Sequence, residues 1–337
     1  MEYVILLISL VGIVFGADYL VAGSVSVARK YKVSDFVIGA AIVGVGTSMP
    51  ELVVSLLGAM NGNADVAIGN VVGSNIFNVL GILGLTAIFF PVAIDRKNMK
   101  FEIPFCIAVS VLLTLLALNF FNGTPAVSIG AIGAAEGPTA IFTTTKSATI
   151  SRVDGLVLLL FFAFFMWYSF ARDRKQASAE QRADEEKSPL WLAVIKIVGG
   201  LALLITSCDF FVDNAVLIAK SFGVDDAFIS LTLIACGTSL PELAASVAAA
   251  IKKNTDMALG NIVGSNIFNI TLILGFCSQV MPLTSAGITS VDYVVMIAAA
   301  ILPLLFGFFG KLGRIGGLSL FACFVMYNWY LLTNQNL

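Results

Sequence analysis

The chain has 337 residues, of which 58% are hydrophobic and only 12% are charged, and its mean hydropathy is +0.96. This composition excludes a soluble domain with a polar surface, and a net charge of −2 without a basic stripe indicates no nucleic-acid partner. The sequence has no histidine, the most common ligand for zinc, copper and nickel, and its five scattered cysteines predict neither a disulfide framework nor a metal knuckle.

Apolar segments long enough to cross a bilayer recur along the whole sequence. We read Met1–Phe15 as part of the first membrane helix rather than as a cleaved signal. The predicted spans are residues 3–28, 36–61, 65–91, 101–119, 153–171, 189–219, 227–251, 257–281, 291–310 and 314–333. The chain is therefore expected to be an all-α membrane protein of about ten transmembrane helices, surrounded by lipid.

Basic residues are distributed unequally between the gaps that separate these spans. One set of alternate gaps holds fifteen Lys and Arg residues, whereas the other set holds only Lys146, Arg152 and Lys220. Because excess Lys and Arg mark cytoplasmic gaps, both termini are predicted to lie outside. The most charged gap, residues 172–188, is predicted to be a cytoplasmic linker that divides the spans into five and five.

Two motifs occur once in each half of the chain. The segment Gly46–Leu52 returns as Gly237–Leu243, and Gly69–Asn78 returns as Gly260–Asn269, both 191 residues later. A repeat with an odd number of spans must enter the membrane from the opposite side in its second copy. We therefore predict two inverted five-helix repeats, residues 1–171 and 189–337, with an extended external segment at 120–152 in the first.

An acidic residue lies near the middle of an apolar span in each half, at Glu51 and Glu242. Such a group is costly in a membrane unless something compensates its charge, and the same two spans contain no Lys or Arg. Hydroxyl side chains precede each glutamate by three and four residues and so share its helix face: Thr47, Ser48, Thr238 and Ser239. Pro50 and Pro241 are predicted to break these helices and to free backbone carbonyls.

The following span of each half repeats a second pattern of oxygen-bearing side chains at four-residue spacing. These residues are Ser74, Asn78, Ser265 and Asn269. A ligand set of oxygens with two carboxylates suits Ca²⁺ and also Na⁺. Two other interpretations remain open: that the glutamates are protonated and hydrogen-bonded, and that the Ser and Asn residues only join helices.

The paired motifs Gly-Thr-Ser-x-Pro-Glu and Gly-Asn-x-x-Gly-Ser-Asn-Ile-x-Asn resemble the α-repeats of the calcium/cation antiporter superfamily, in particular prokaryotic sodium/calcium exchangers. The resemblance implies alternating access at a central site, with the first and sixth spans as a sliding gate, in a prokaryotic plasma (inner) membrane. It also implies the ligands Glu51, Glu242, Thr47, Ser48, Ser74, Thr238, Ser239 and Ser265, and the backbone carbonyls of Gly44 and Ala235.

The sequence departs from this family pattern in two places. Some members have Asp at the last motif position, linked in part of the superfamily to potassium dependence, whereas this chain has Asn78 and Asn269; we expect no potassium requirement. Residues 120–150 are longer than the link expected there, and Ser128–Phe142 resembles a local motif in the membrane β-subunit of sodium-pumping decarboxylases. We expect an external loop or a re-entrant hairpin.

The predicted function is secondary antiport of Na⁺ against Ca²⁺, without covalent catalysis, cofactor or obligate protein partner. A proton-coupled cation antiporter is the nearest alternative. A membrane subunit of a decarboxylase-type sodium pump and a passive channel are more distant ones. Asp18 and Asp209 also lie within spans and are assigned either to helix packing or to ion entry and gating.

Overall fold

The computed structural model describes residues 2–118, 127–132, 139–144, 148–180, 189–222, 237–285 and 287–334, and these are mostly helical. The helices are α1 (Glu2–Tyr31), α2 (Asp35–Ile38), α3 (Val45–Thr47), α4 (Met49–Met60), α5 (Ala64–Ile76), α6 (Gly84–Phe89), α7 (Glu102–Ala117), α8 (Arg152–Glu180), α9 (Leu190–Ser221), α10 (Leu240–Ile251), α11 (Thr255–Phe268), α12 (Leu274–Val280), α13 (Ser290–Gly307) and α14 (Arg314–Asn334). Turns of π-helix join α2 to α3, α5 to α6 and α11 to α12; they are Gly39–Gly44, Phe77–Leu83 and Asn269–Ile273.

Much of the described chain is apolar and long enough to span a bilayer, which makes this an integral membrane protein. Seven helices of the described chain are each long and apolar enough to cross a bilayer, and the bent pair Asp35–Thr47 and Met49–Met60 could cross it as one broken span. Two shorter apolar helices, α7 and α10, coincide with the remaining predicted spans. The total of ten spans stays a prediction, since part of the seventh lies outside the described residues.

Helices in the two halves begin and end at corresponding positions of the sequence repeat. Helix α10 starts and stops 191 residues after α4, and α11 starts 191 residues after α5. The caps correspond as well, because the side chains of Asn63 and Asn254 each accept a backbone hydrogen bond at the start of α5 and α11. The repeated sequence therefore gives repeated local structure.

Helices α1 and α9 pack closely against each other through glycines. A Cβ added to Gly16 would lie 2.6 Å from the backbone nitrogen of Leu204, and one added to Gly200 would lie 2.6 Å from that of Leu20. Small residues allow such close approach of two helix backbones.

Helix α11 lies at the centre of the molecule, and every residue from Met257 to Phe268 is buried.

Short antiparallel strand pairs join some of the segments that link the helices. Strand β1 (Val92–Ala93) pairs with β6 (Lys311–Leu312), and β4 (Ala148–Ile150) pairs with β5 (Leu283–Ser285). Each pairing joins two gaps that the alternating topology assigns to the same side of the membrane. Within the predicted external segment, β2 (Val127–Ile132) and β3 (Thr139–Thr144) form a hairpin.

Helix α8 continues beyond the predicted end of its span at residue 171 and reaches Glu180, within the predicted linker. At the point where the linker was expected to begin, Arg172 donates hydrogen bonds to the Glu102 carboxylate at 3.2 Å and to the Lys97 carbonyl at 2.9 Å. These contacts fix the end of the span against the start of α7. Residues 181–188 of the linker lie outside the described residues.

Candidate cation site

Each of the two buried glutamates lies in the first turn of a helix that follows a backbone break. The break before α4 falls at Ser48 (φ −83°, ψ 11°) and the break before α10 at Ser239 (φ −92°, ψ 6°). Proline is tolerated in the first helical turn, where its missing N–H has no partner to lose, which explains Pro50 and Pro241. The helix dipole favours a negative charge at this position.

The side chains of Glu51 and Glu242 are fully buried, and each is held by a serine from the other half of the chain. The Ser48 hydroxyl donates to Oε1 of Glu242 at 2.8 Å, and the Ser239 hydroxyl is 2.9 Å from Oε1 of Glu51. Ser239 Oγ also lies 3.2 Å from the hydroxyl of Ser74. The halves thus meet through their predicted site residues.

This pairing corrects one detail of the sequence interpretation. A continuous helix would place Ser48 on the face of Glu51 and Ser239 on the face of Glu242. The backbone breaks at both serines instead turn each hydroxyl toward the glutamate of the opposite repeat. The prediction that each serine faces the glutamate of its own repeat is therefore wrong.

The neighbouring predicted residues of the first half lie beside those of the second. The Gly44 carbonyl accepts a hydrogen bond from the Ser265 hydroxyl at 3.3 Å. The Thr47 hydroxyl oxygen lies 3.0 Å from the Val43 carbonyl and 3.3 Å from Oδ1 of Asn261. Gly44, Thr47 and Ser265 are buried. They therefore belong to the same interface between the halves.

Two predicted site residues of the second half remain to be placed, Thr238 and Ala235. Thr238 is partly buried and directly precedes Ser239, whose hydroxyl contacts Glu51. Ala235, the residue expected to offer a backbone carbonyl in the second half, lies outside the described residues. Its predicted role stays a prediction.

Asn78 and Asn269 are fully buried at the π-helical turns and contact the opposite half. Nδ2 of Asn78 donates to Oδ1 of Asn266 at 3.0 Å, and Nδ2 of Asn269 donates to Oδ1 of Asn75 at 3.2 Å. The side-chain nitrogen of each asparagine is therefore engaged in the contact between the halves. The Oδ1 atom of each remains available to another partner.

Sequence reasoning missed a second pair of asparagines that support the glutamate backbones. Nδ2 of Asn70 donates to the Glu51 carbonyl at 3.1 Å, and Nδ2 of Asn261 donates to the Glu242 carbonyl at 3.2 Å. Both residues stand in the repeated motif, directly after its first glycine. Their position in a duplicated polar pattern is the signal that could have identified them.

Several buried oxygen atoms of the site have no hydrogen-bond partner among the described residues. They are Oε2 of Glu51, Oε2 of Glu242, Oδ1 of Asn78, Oδ1 of Asn269 and Oγ1 of Thr238. Buried polar atoms are normally satisfied, and leaving them unsatisfied costs about 1–3 kcal/mol each. All five atoms can coordinate a hard cation, which would compensate both the missing contacts and the carboxylate charge.

Charge compensation from the protein itself is not found in the part of the chain that the structure describes. No Lys or Arg there forms an ion pair with Glu51 or Glu242. Asp18, by contrast, lies outside this site and pairs with Lys252, whose Nζ is 2.7 Å from its Oδ1. The chemistry of the central site therefore favours a bound cation.

Comparison with known proteins gives a consistent result over most of the chain. The model of the family described as sodium/calcium exchanger protein matches residues 1–171 and 192–333. The chain is 38% identical to CaxA of Alkalimonas amylolytica, with 98% of each chain covered, and 31% identical to the sodium/calcium exchanger MaX1 of Methanosarcina acetivorans, with 90% of this chain and 91% of the relative covered. A solved structure of the sodium-calcium exchanger NCX_Mj, soaked with zero Na⁺ and Ca²⁺, superimposes with a TM-score of 0.79 at 29% identity and 98% coverage of both chains.

Proposed function

Because the chain belongs to the sodium/calcium exchanger family of cation antiporters, we propose that it exchanges Na⁺ for Ca²⁺ across the membrane. Transport would proceed by alternating access at one central site built around Glu51 and Glu242. The observation that carries this proposal is the reciprocal pairing of each buried glutamate with a serine of the opposite repeat, which leaves one oxygen of each carboxylate unpartnered among the described residues.

The charge of the site supports competition between the two ions. One Ca²⁺ neutralises two ionised carboxylates, whereas Na⁺ ions must bind in greater number to reach the same charge. The proposed ligands are Glu51, Glu242, Thr47, Ser48, Ser74, Asn78, Thr238, Ser239, Ser265 and Asn269, with the carbonyls of Gly44 and Ala235. All of these are oxygen ligands, as Ca²⁺ and Na⁺ prefer.

The proposed architecture is ten spans in two inverted repeats, residues 1–171 and 189–337, with both termini outside. The equal spacing of α4 to α10 and of α5 to α11 supports the repeat. The close glycine contacts between α1 and α9 are consistent with these helices moving together as a gate. Ion binding would permit that movement only through a difference in affinity between the inward-open and outward-open states.

Reconstituted vesicles provide the test of this function. Purified protein is placed in vesicles loaded with Na⁺, and uptake of radioactive Ca²⁺ is measured after dilution into medium without Na⁺. We expect rapid uptake that is absent when K⁺ replaces Na⁺ inside. Uptake driven equally well by a pH gradient without Na⁺ would contradict Na⁺ coupling and favour the proton-coupled alternative.

A further inference from the structure

Hydrogen bonds across the interface between the two halves link four asparagines, which we call the amide ring because two reciprocal hydrogen bonds close a ring at its centre: Asn75, Asn78, Asn266 and Asn269. Asn75 and Asn266 each donate from Nδ2 to the other's backbone carbonyl at 3.2 Å. Their Oδ1 atoms accept the hydrogen bonds from Asn269 and Asn78 described above. All four residues are buried, and the most exposed of them, Asn266, is only 2% exposed.

The hydrogen bonds of the ring determine which end of the Asn78 and Asn269 amides is left without a partner. A backbone carbonyl can only accept, so Asn75 and Asn266 must direct their nitrogens toward each other's main chain. Their oxygens therefore face Asn269 and Asn78, which must supply nitrogens in turn. This leaves Oδ1 of Asn78 and Oδ1 of Asn269 as the free ends, without a partner among the described residues.

We propose that Asn75 and Asn266 are positioning residues that orient the amides of Asn269 and Asn78, so that both present oxygen rather than NH₂ to the transported cation. This inference rests on the proposed function. A reversed amide would direct two partly positive hydrogens at the cation and would remove one neutral ligand. The ring thus specifies a cation site without adding charge to the two carboxylates.

The proposal differs from a purely structural role in one measurable respect. If the ring only joined helices, each substitution would lower protein stability independently of the ion. If the ring orients ligands, the effect of Asn266 on ion affinity passes through the Asn78 oxygen and disappears when that oxygen is absent. A double-mutant cycle between the two residues separates these roles.

The experiment uses the full-length protein and measures both direct Ca²⁺ binding and the Ca²⁺ concentration that half-saturates Na⁺-driven uptake. We expect Asn266→Ala to raise both values about tenfold, as the loss of one ligand interaction with a charged partner predicts. In the Asn78→Ala background, adding Asn266→Ala should change neither value further. Asn328→Ala, which removes an amide bonded within α14, is the matched control and should leave affinity unchanged.

Two results would overturn the proposal: unchanged Ca²⁺ affinity in Asn266→Ala, or a further loss of affinity in the double variant. If Asn266→Ala does not fold, Asn75→Ala with and without Asn269→Ala repeats the cycle through the symmetric pair. Failure of the proposed function gives a different result, since the unmodified protein itself would then show no Na⁺-driven Ca²⁺ uptake. Its Ca²⁺ binding can still be compared with that of the variants.

Discussion

The hydroxyl of Ser48 donates a 2.8 Å hydrogen bond to Oε1 of Glu242, a residue of the opposite repeat. In Ser48→Ala the carboxylate loses this donor and the site loses a proposed ligand oxygen. We expect the half-saturating Ca²⁺ concentration for uptake to rise at least about tenfold. Ser110→Ala also removes a buried hydroxyl, one that bonds within α7, and should leave this value unchanged; equal effects of the two variants would contradict the role of Ser48.

Close packing of α11 against the π-helical turn at Gly39–Gly44 gives a prediction about stability. A Cβ at Gly264 would overlap Ala40, so Gly264→Ala must displace the segment that carries the Gly44 carbonyl. Overpacking of this kind costs about 1–3 kcal/mol of unfolding free energy. Gly199→Ala in α9 meets open space and should cause no loss in a thermal unfolding measurement. Equal stability of the two variants would show that the helices can separate freely.

Glu51 and Glu242 show how much of the site can be predicted from the sequence. A carboxylate inside an apolar span is costly, and its repetition at a fixed interval predicts that both glutamates are site residues. The structure buries both side chains. The partners of Ser48 and Ser239 could not be predicted, because they depend on a backbone break and on contact between segments far apart in the chain.

The hydrogen-bond partners within the amide ring and the partner of Asp18 could not be predicted from the sequence either. The sequence shows Asn75 and Asn266 in a repeated motif, but hydrogen-bond direction requires the positions of two backbone carbonyls from different halves. Asp18 was assigned to packing or gating, and its partner Lys252 lies more than two hundred residues away. Local patterns predict helices and polar positions, whereas pairing between halves is a property of the folded structure.

Cys208 provides a probe of movement in α9. Its thiol is buried in this helix. With the other four cysteines replaced by alanine, small thiol reagents should modify Cys208 at different rates in Na⁺ and in Ca²⁺, because the ions shift the populations of the two open states. A protein that retains only Cys323, which is partly exposed in α14, should react at the same rate in both ions. Equal rates for Cys208 would argue against movement of this helix.

Topology gives a prediction that is independent of the ion. In a protein whose native cysteines are replaced by alanine, Ser178→Cys should react with a membrane-impermeant reagent only from the cytoplasm. Thr124→Cys should react only from outside. The reason is that five Lys and Arg residues lie in the gap at 172–188, whereas the longer gap at 120–152 holds only Lys146 and Arg152. Labelling of both positions from one side would contradict the inverted arrangement.

Glu51 and Glu242 together are proposed to hold the transported ion, and Na⁺-driven Ca²⁺ uptake by Glu51→Gln and Glu242→Gln tests this role most directly. Glutamine keeps the size of the side chain and removes half of the fixed negative charge. We predict that each variant remains folded in the membrane but loses Ca²⁺ uptake, whereas Glu2→Gln, at the start of α1, transports normally. Normal uptake by either Glu51→Gln or Glu242→Gln would contradict the shared site.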